Sequence, residues 1–205
     1  MNTPRLIFVD IDTQRDFLDP NGALSVPDAQ AIRPNLARLI QLACQLHLPV
    51  IASACAHRLD DPDPEPFPPH CLVGTPGHDR IPETNVPTTH ILGPDHRDDL
   101  PASARHITLH KRTYDVFSNP HASRLVTTWG GPNARFVVFG VATDYCVRAA
   151  VLGLLDRGQQ VWIVADAIRA VDPTAEPAIL TDLVRRGATL TVTDRICRDA
   201  LASLE

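Results

Sequence analysis

Six short apolar runs restrict what this chain can fold into more than any other feature. They fall at residues 6–12, 49–54, 106–110, 135–141, 161–164 and 189–192. Each is near-continuous, not alternating, so both faces of each strand have to be covered. Stretches of helical periodicity lie among them. One begins near Ala31 or Pro34 and runs to His47, with Leu36, Leu39, Ile40, Ala43 and Leu46 on one face. Others cover residues 121–129, 145–157, 174–186 and 196–204. Gly158 and Gly187 stand where a left-handed residue ends a helix. The pair Ile91-Leu92 is too short to read as a strand. The expected fold is α/β, a three-layer α/β/α sandwich on a parallel six-stranded sheet. No internal repeat or linker interrupts it, so residues 1–205 are read as a single domain.

Composition narrows the class. With 205 residues the chain has material for one substantial core and too little for two comfortable ones. A net charge of -5 gives no footprint for nucleic acid. No run approaches the length of a membrane span, and the N-terminus carries no signal-peptide pattern, so the reading is cytoplasmic. Five cysteines, an odd number without a CxxC pair, indicate reduced thiols and no disulfide framework. Eight of the 19 prolines lie between Asp60 and Pro87, marking a long irregular segment.

In open parallel sheets ligands bind beyond the carboxyl ends of the strands. Asp12 ends the first apolar run, Cys55 and His57 follow the second, Lys111 the third and Cys146 the fourth. A carboxylate, two metal-binding side chains, an ammonium and a thiol are thereby directed to one edge. Cys146 follows Phe136-Val137-Val138-Phe139 and a turn of small residues, with Asp144 placed to cap the helix after it. A cysteine at a helix N-terminus is favoured as a thiolate. An adjacent carboxylate can take the thiol proton and return it to a leaving amine, held in place by the lysine.

Four blocks carry a family resemblance. Val9-Asp10-Ile11-Asp12-Thr13-Gln14-Arg15-Asp16-Phe17 with Gly22-Ala23-Leu24-Ser25-Val26-Pro27 resembles the opening motif of the nicotinamidases among the isochorismatase-like cysteine hydrolases. Phe67-Pro68-Pro69-His70-Cys71-Leu72-Val73-Gly74-Thr75-Pro76-Gly77 resembles their histidine-cysteine loop. Lys111 with Asp115-Val116-Phe117-Ser118, and residues 141–146, match the other two. The resemblance implies the isochorismatase-like hydrolase fold and a catalytic triad of Asp12, Lys111 and Cys146. It implies an oxyanion hole from the N–H groups of Ala142 and Cys146 and a cis peptide between Val141 and Ala142. Phe17 and Phe67 match the rings that sandwich the substrate, with Phe67 where tryptophan is usual. The implied activity is release of ammonia from nicotinamide or a close analogue through a thioester.

The metal loop departs from that pattern. Ser53-Ala54-Cys55-Ala56-His57 puts Cys55 where metal-binding nicotinamidases carry aspartate. Cys55, His57 and His70 remain as a ligand set that suits Zn²⁺ and poorly suits a hard ion such as Mg²⁺. The alternative is a site that holds no metal, its histidines being pocket polar groups. No organic cofactor is indicated. Two other functions stay open: a metal-independent amidase acting on a carbamoyl or maleamate-like amide, and a non-catalytic interaction module. The expected partner is a small-molecule amide, with no nucleic acid or membrane, in a homo-oligomer.

Overall fold

The computed structural model describes residues 5–61, 67–87, 89–95 and 103–202. Strand β1 (Arg5–Ile11) lies near the middle of a fully parallel sheet. On one side of it come β2 (Val50–Cys55), β4 (His106–Lys111) and the edge strand β3 (His90–Leu92). On the other come β5 (Ala134–Val141), β6 (Gln160–Arg169) and the edge strand β7 (Thr189–Thr191). The sheet has seven strands, where six were expected. The additional strand is β3, whose apolar pair is too short to be seen alone. It exists because His90, Ile91 and Leu92 align with Ile107, Thr108 and Leu109 of β4, a partner 15 or more residues away.

The continuous apolar runs are buried on both faces. Ile7, Val9 and Ile11 of β1 join one core cluster and Leu6 and Phe8 the other. Phe136 and Val138 of β5 divide from Val137, Phe139 and Val141 in the same way. The first cluster is covered by α3 (Pro120–Trp129), α4 (Arg148–Asp156) and α5 (Glu176–Arg185). The second is covered by α2 (Ala29–Gln45) and α6 (Thr193–Leu201), with the short α1 (Arg15–Leu18) beside them. No helix among the described residues is long and apolar enough to cross a membrane.

Helix boundaries shift for local reasons. Helix α2 begins at Ala29, ahead of both expected starts, and carries Pro34 in its interior. The proline is exposed, and its ring deprives the helix of one N–H donor on the solvent side. Helix α6 begins at Thr193 because Asp166 Oδ1 accepts from both the N–H and the hydroxyl of that residue, at 2.8 and 2.9 Å. Residues 203 and 204 of the expected helix lie outside the described residues. Asp144 does not cap a helix. The chain after β5 makes one π-helical turn, Thr143–Val147, ahead of α4. The Asp144 carboxylate instead accepts from Val171 and Asp172, at 3.0 and 2.8 Å, tying the loop after β6 to the turn that carries Cys146.

Strand order reverses at β1, with β2 on one flank and β5 on the other, and such a switch point opens a crevice at the carboxyl edge. Gly140 shapes that edge. Its φ is +112°, and a Cβ there would stand 2.1 Å from the Ile11 carbonyl oxygen. The β5–β6 register also shifts between Val138 and Gly140. Only glycine lets the β5 backbone approach β1 so closely in that conformation. Gly140→Ala is expected to destabilise the fold by about 3 kcal/mol or more, read as a fall in Tm of about 10 °C in a thermal melt.

Candidate active site

Asp12 leaves β1 in the left-handed region at φ +48°, which turns its side chain under the crevice. Ser53 Oγ donates to Asp12 Oδ1 at 2.7 Å and fixes the carboxylate. Lys111, at the end of β4, is fully buried and its Nζ lies 2.8 Å from Asp12 Oδ2. The same ammonium donates to Cys55 Sγ at 3.1 Å, to the Thr113 carbonyl at 3.0 Å and to Cys146 Sγ at 3.4 Å. Asp12, Lys111 and Cys146 are thus brought together from three strand ends. The peptide between Val141 and Ala142 is cis, as the resemblance implies.

Burial and partners pull these groups in opposite directions. Burial disfavours charge on Lys111, but Asp12 and the two sulfurs outweigh it and hold the amine protonated, well above its ordinary range. Burial raises the Asp12 carboxyl, reinforced by Cys55 and opposed by Lys111. Between the thiols, the Cys146 S–H bond to Cys55 lowers Cys55 and raises Cys146, with burial adding to the rise at Cys146. Helix placement had put the thiolate on Cys146. In this arrangement the two sulfurs share one ammonium and titrate as a pair, so the charge belongs to the cluster and not to Cys146 alone.

A cavity of about 170 Å³ opens above this cluster. Cys55, His57, His70, Ala142 and Cys146 all reach its wall. Both expected aromatic rings line it. Phe17 packs against His70 with ring centroids 5.4 Å apart, and Phe67 meets Tyr145 edge-on at 5.3 Å. Tyr114 and Tyr145, which sequence reasoning passed over, complete the aromatic wall. Their positions just after Lys111 and just before Cys146 were the signal available. A void of about 150 Å³ accommodates a benzene ring, so this one has room for a single planar ring.

Donor atoms of Cys55, His57 and His70 lie within 4.8 Å of one another. His70 Nδ1 bonds the Pro68 carbonyl oxygen at 2.9 Å, which directs Nε2 to a ligand. Burial opposes charge on His70, yet contact with Cys55 and the Pro68 carbonyl raise its pKa. A soft sulfur with two imidazoles at this spacing fits tetrahedral zinc. A second grouping, Asp12 with Cys55 and Cys146, surrounds the Lys111 ammonium and is already served by that cation.

Gln14 was not foreseen and holds the metal corner in place. Its Oε1 accepts from the Cys55 N–H at 2.7 Å, and its Nε2 donates to the carbonyls of Cys55 and His78, both at 2.8 Å. One layer below, Arg80 pairs with the buried Asp10. Burial nonetheless raises the Asp10 carboxyl above its ordinary value. Gln14→Leu would leave the polar backbone of Cys55 unpartnered, at about 1–3 kcal/mol for each group. The expected result is a drop in Tm of about 10 °C, measured by calorimetry.

Comparison with known proteins agrees with this geometry. Residues 6–195 match the isochorismatase domain family. The nicotinamidase of Escherichia coli (strain K12) is 27% identical over 91% of this chain and 94% of its own length. A zinc complex of the pyrazinamidase of Pyrococcus horikoshii superposes with a TM-score of 0.74 at 26% identity, covering 92% of this chain and 99% of that one. N-carbamoylsarcosine amidase from Thermoplasma acidophilum shares the fold, with a TM-score of 0.72 at 24% identity over 93% of this chain and 97% of its own. The interaction-module alternative falls, since the family match with the nicotinamidase and pyrazinamidase relatives makes the chain a hydrolase, and the cavity beside Cys146 is open. The chain belongs to the isochorismatase family and is a hydrolase of amide C–N bonds.

Proposed function

We propose that this protein releases ammonia from nicotinamide or a close planar carboxamide, with Cys146 as nucleophile. The observation that carries the reading is the Lys111 ammonium, which touches both Asp12 Oδ2 and Cys146 Sγ beneath a ring-sized aromatic cavity. Asp12, raised by burial, is suited to take the Cys146 proton as sulfur attacks the carboxamide carbon. It then gives that proton to the departing ammonia. The N–H groups of Ala142 and Cys146 are assigned to the developing oxyanion, where one such donor is worth about 3 kcal/mol. Phe17 and Phe67 are assigned to the faces of the ring. Water hydrolyses the thioester and restores the thiol.

Cys55, His57 and His70 are assigned to a single Zn²⁺ ion, which would supply Lewis acidity beside the substrate. A second reading takes an amide bearing a carboxylate, such as a carbamoyl or maleamate-like compound. Arg58 and Arg112 on the cavity wall favour it, although Arg112 also meets Asp61 and Asp95, at 3.9 and 3.4 Å.

Ammonia release from nicotinamide, pyrazinamide and N-carbamoyl amino acids separates the two readings. Turnover of the ring amides at least about tenfold faster, by kcat/KM, supports the first, and the reverse order supports the second. Cys146→Ala is expected to lower kcat by about 10³-fold or more with an unchanged circular dichroism spectrum. Wild-type ammonia release by that variant would overturn the mechanism.

Elemental analysis is expected to find one zinc per chain. Cys55→Asp should shift metal preference toward harder divalent ions, as read by competition between zinc and manganese. Protein without stoichiometric metal, whose activity ignores added zinc, would remove the metal assignment.

A further inference from the structure

Cys55 has a second neighbour that its role as a metal ligand does not use. Its sulfur and that of Cys146 belong to one buried cluster whose ligand atoms all lie within 4.8 Å of one another. Lys111 Nζ bonds both sulfurs. Closing the gap from at most 4.8 Å to a disulfide bond takes up to about 3 Å of relative sulfur movement, which rotation about the two χ1 angles has to supply. Both sulfurs reach the cavity wall, so a small oxidant entering with the substrate's access meets them together. None of the other three cysteines lines that cavity. Cys71 is fully buried outside the cavity lining, Cys197 packs half-buried against the second core cluster, and Cys44 is exposed to solvent on α2, away from the cavity.

We propose that Cys55 is a resolving thiol for Cys146, so that oxidation of the nucleophile by a peroxide ends in a reversible Cys55–Cys146 disulfide. In the first step the Cys146 sulfur attacks one peroxide oxygen and the O–O bond breaks. Cys146 becomes a sulfenic acid, and the other oxygen leaves as water or an alcohol, with the thiol proton passing to it through the Asp12–Lys111 pair. In the second step Cys55 attacks the sulfenic sulfur, the S–OH bond breaks, and a second water leaves with the Cys55 proton. Two thiols have then given two electrons to one peroxide. A dithiol returns those electrons, restores both thiols and is itself left as a disulfide.

Aspartate, the residue usual at this position among metal-binding nicotinamidases, binds a metal but has no sulfur to offer a sulfenic acid. Without Cys55, an oxidised Cys146 would pass on to sulfinic acid, which dithiols do not reverse. Ligation of a metal and capture of Cys146 compete for one sulfur, so the oxidised state also removes a metal ligand. The inference is independent of which amide the site takes, because it concerns only the two thiols.

The test uses the full-length protein, as purified and after chelator treatment, exposed to a modest excess of hydrogen peroxide. Intact mass and non-reducing peptide mapping are read. The expected product is lighter by about 2 Da, with Cys55 and Cys146 peptides linked, and denatured thiols fall from five to three. Dithiothreitol should reverse both changes. Cys55→Ser should gain about 32 Da at Cys146, unrecovered by dithiothreitol. Cys71→Ala should behave as wild type. A wild-type protein that gains oxygen at Cys146 without a linked product in either sample would overturn the proposal. A link from Cys55 to Cys71 would overturn it equally. The wild-type map decides the matter even if a variant fails to fold.

Discussion

A fully buried ammonium is the constraint around which the catalytic edge is arranged. Without compensating partners the Lys111 charge could not be held in an apolar interior. Asp12 from β1, Cys55 from β2 and Cys146 from the turn after β5 converge on it. Their approach follows from the strand order, since β4, β2, β1 and β5 are successive neighbours in the sheet. One cation serves three groups that can each carry a negative charge. They cannot all ionise, and a proton is therefore held within the cluster at neutral pH. Cysteine amidase chemistry needs a mobile proton of this kind between sulfur, carboxylate and leaving amine.

The walls above the cluster depend on side chains that satisfy loop backbone. Asp16 accepts from the N–H groups of Cys71 and Ala23, at 2.6 and 3.1 Å, which joins the His70 loop to the segment after α1. Gly77 passes so close that a Cβ there would meet the Asp16 carboxylate at 2.2 Å. Asp144 does the same for Val171, which reaches the cavity from the far side. Gln14 clamps the Cys55 backbone from beneath. These polar residues come from α1 and its flanks and from the turn that carries Cys146. The irregular, proline-rich segment is thereby shaped by partners distant in sequence, and that fixes where His70 and Phe67 stand.

Cys55 is where this chain differs most from the family pattern, and the difference acts in two directions. Its sulfur lies with donor atoms of His57 and His70, all within 4.8 Å of one another, a set whose chemistry suits zinc. Next to the Lys111 ammonium it also affects how Cys146 holds its proton. Aspartate at that point would interact through charge and hydrogen bonds alone. Sulfur adds the capacity to form a covalent bond with the Cys146 sulfur.

The architecture and the catalytic edge were legible in the amino-acid order. Continuous apolar runs report burial on two faces whatever the partner, and the residues closing those runs must lie at one edge of a parallel sheet. Asp12, Cys55, Lys111 and Cys146 could be placed there before any distance was known. Tertiary contact decided the rest. Strand β3 exists through its pairing with β4, and Asp144 accepts from the loop after β6 and not from its own turn. The contact between Cys55 and Cys146 belongs to this second kind. The two cysteines are separated by the whole of β4 and β5 in the chain, and only the position of β1 between their strands, with a shared ammonium below, brings the sulfurs together. Local sequence sets which side chains leave the strand ends. The sheet order and the balance of buried charge decide which of them meet.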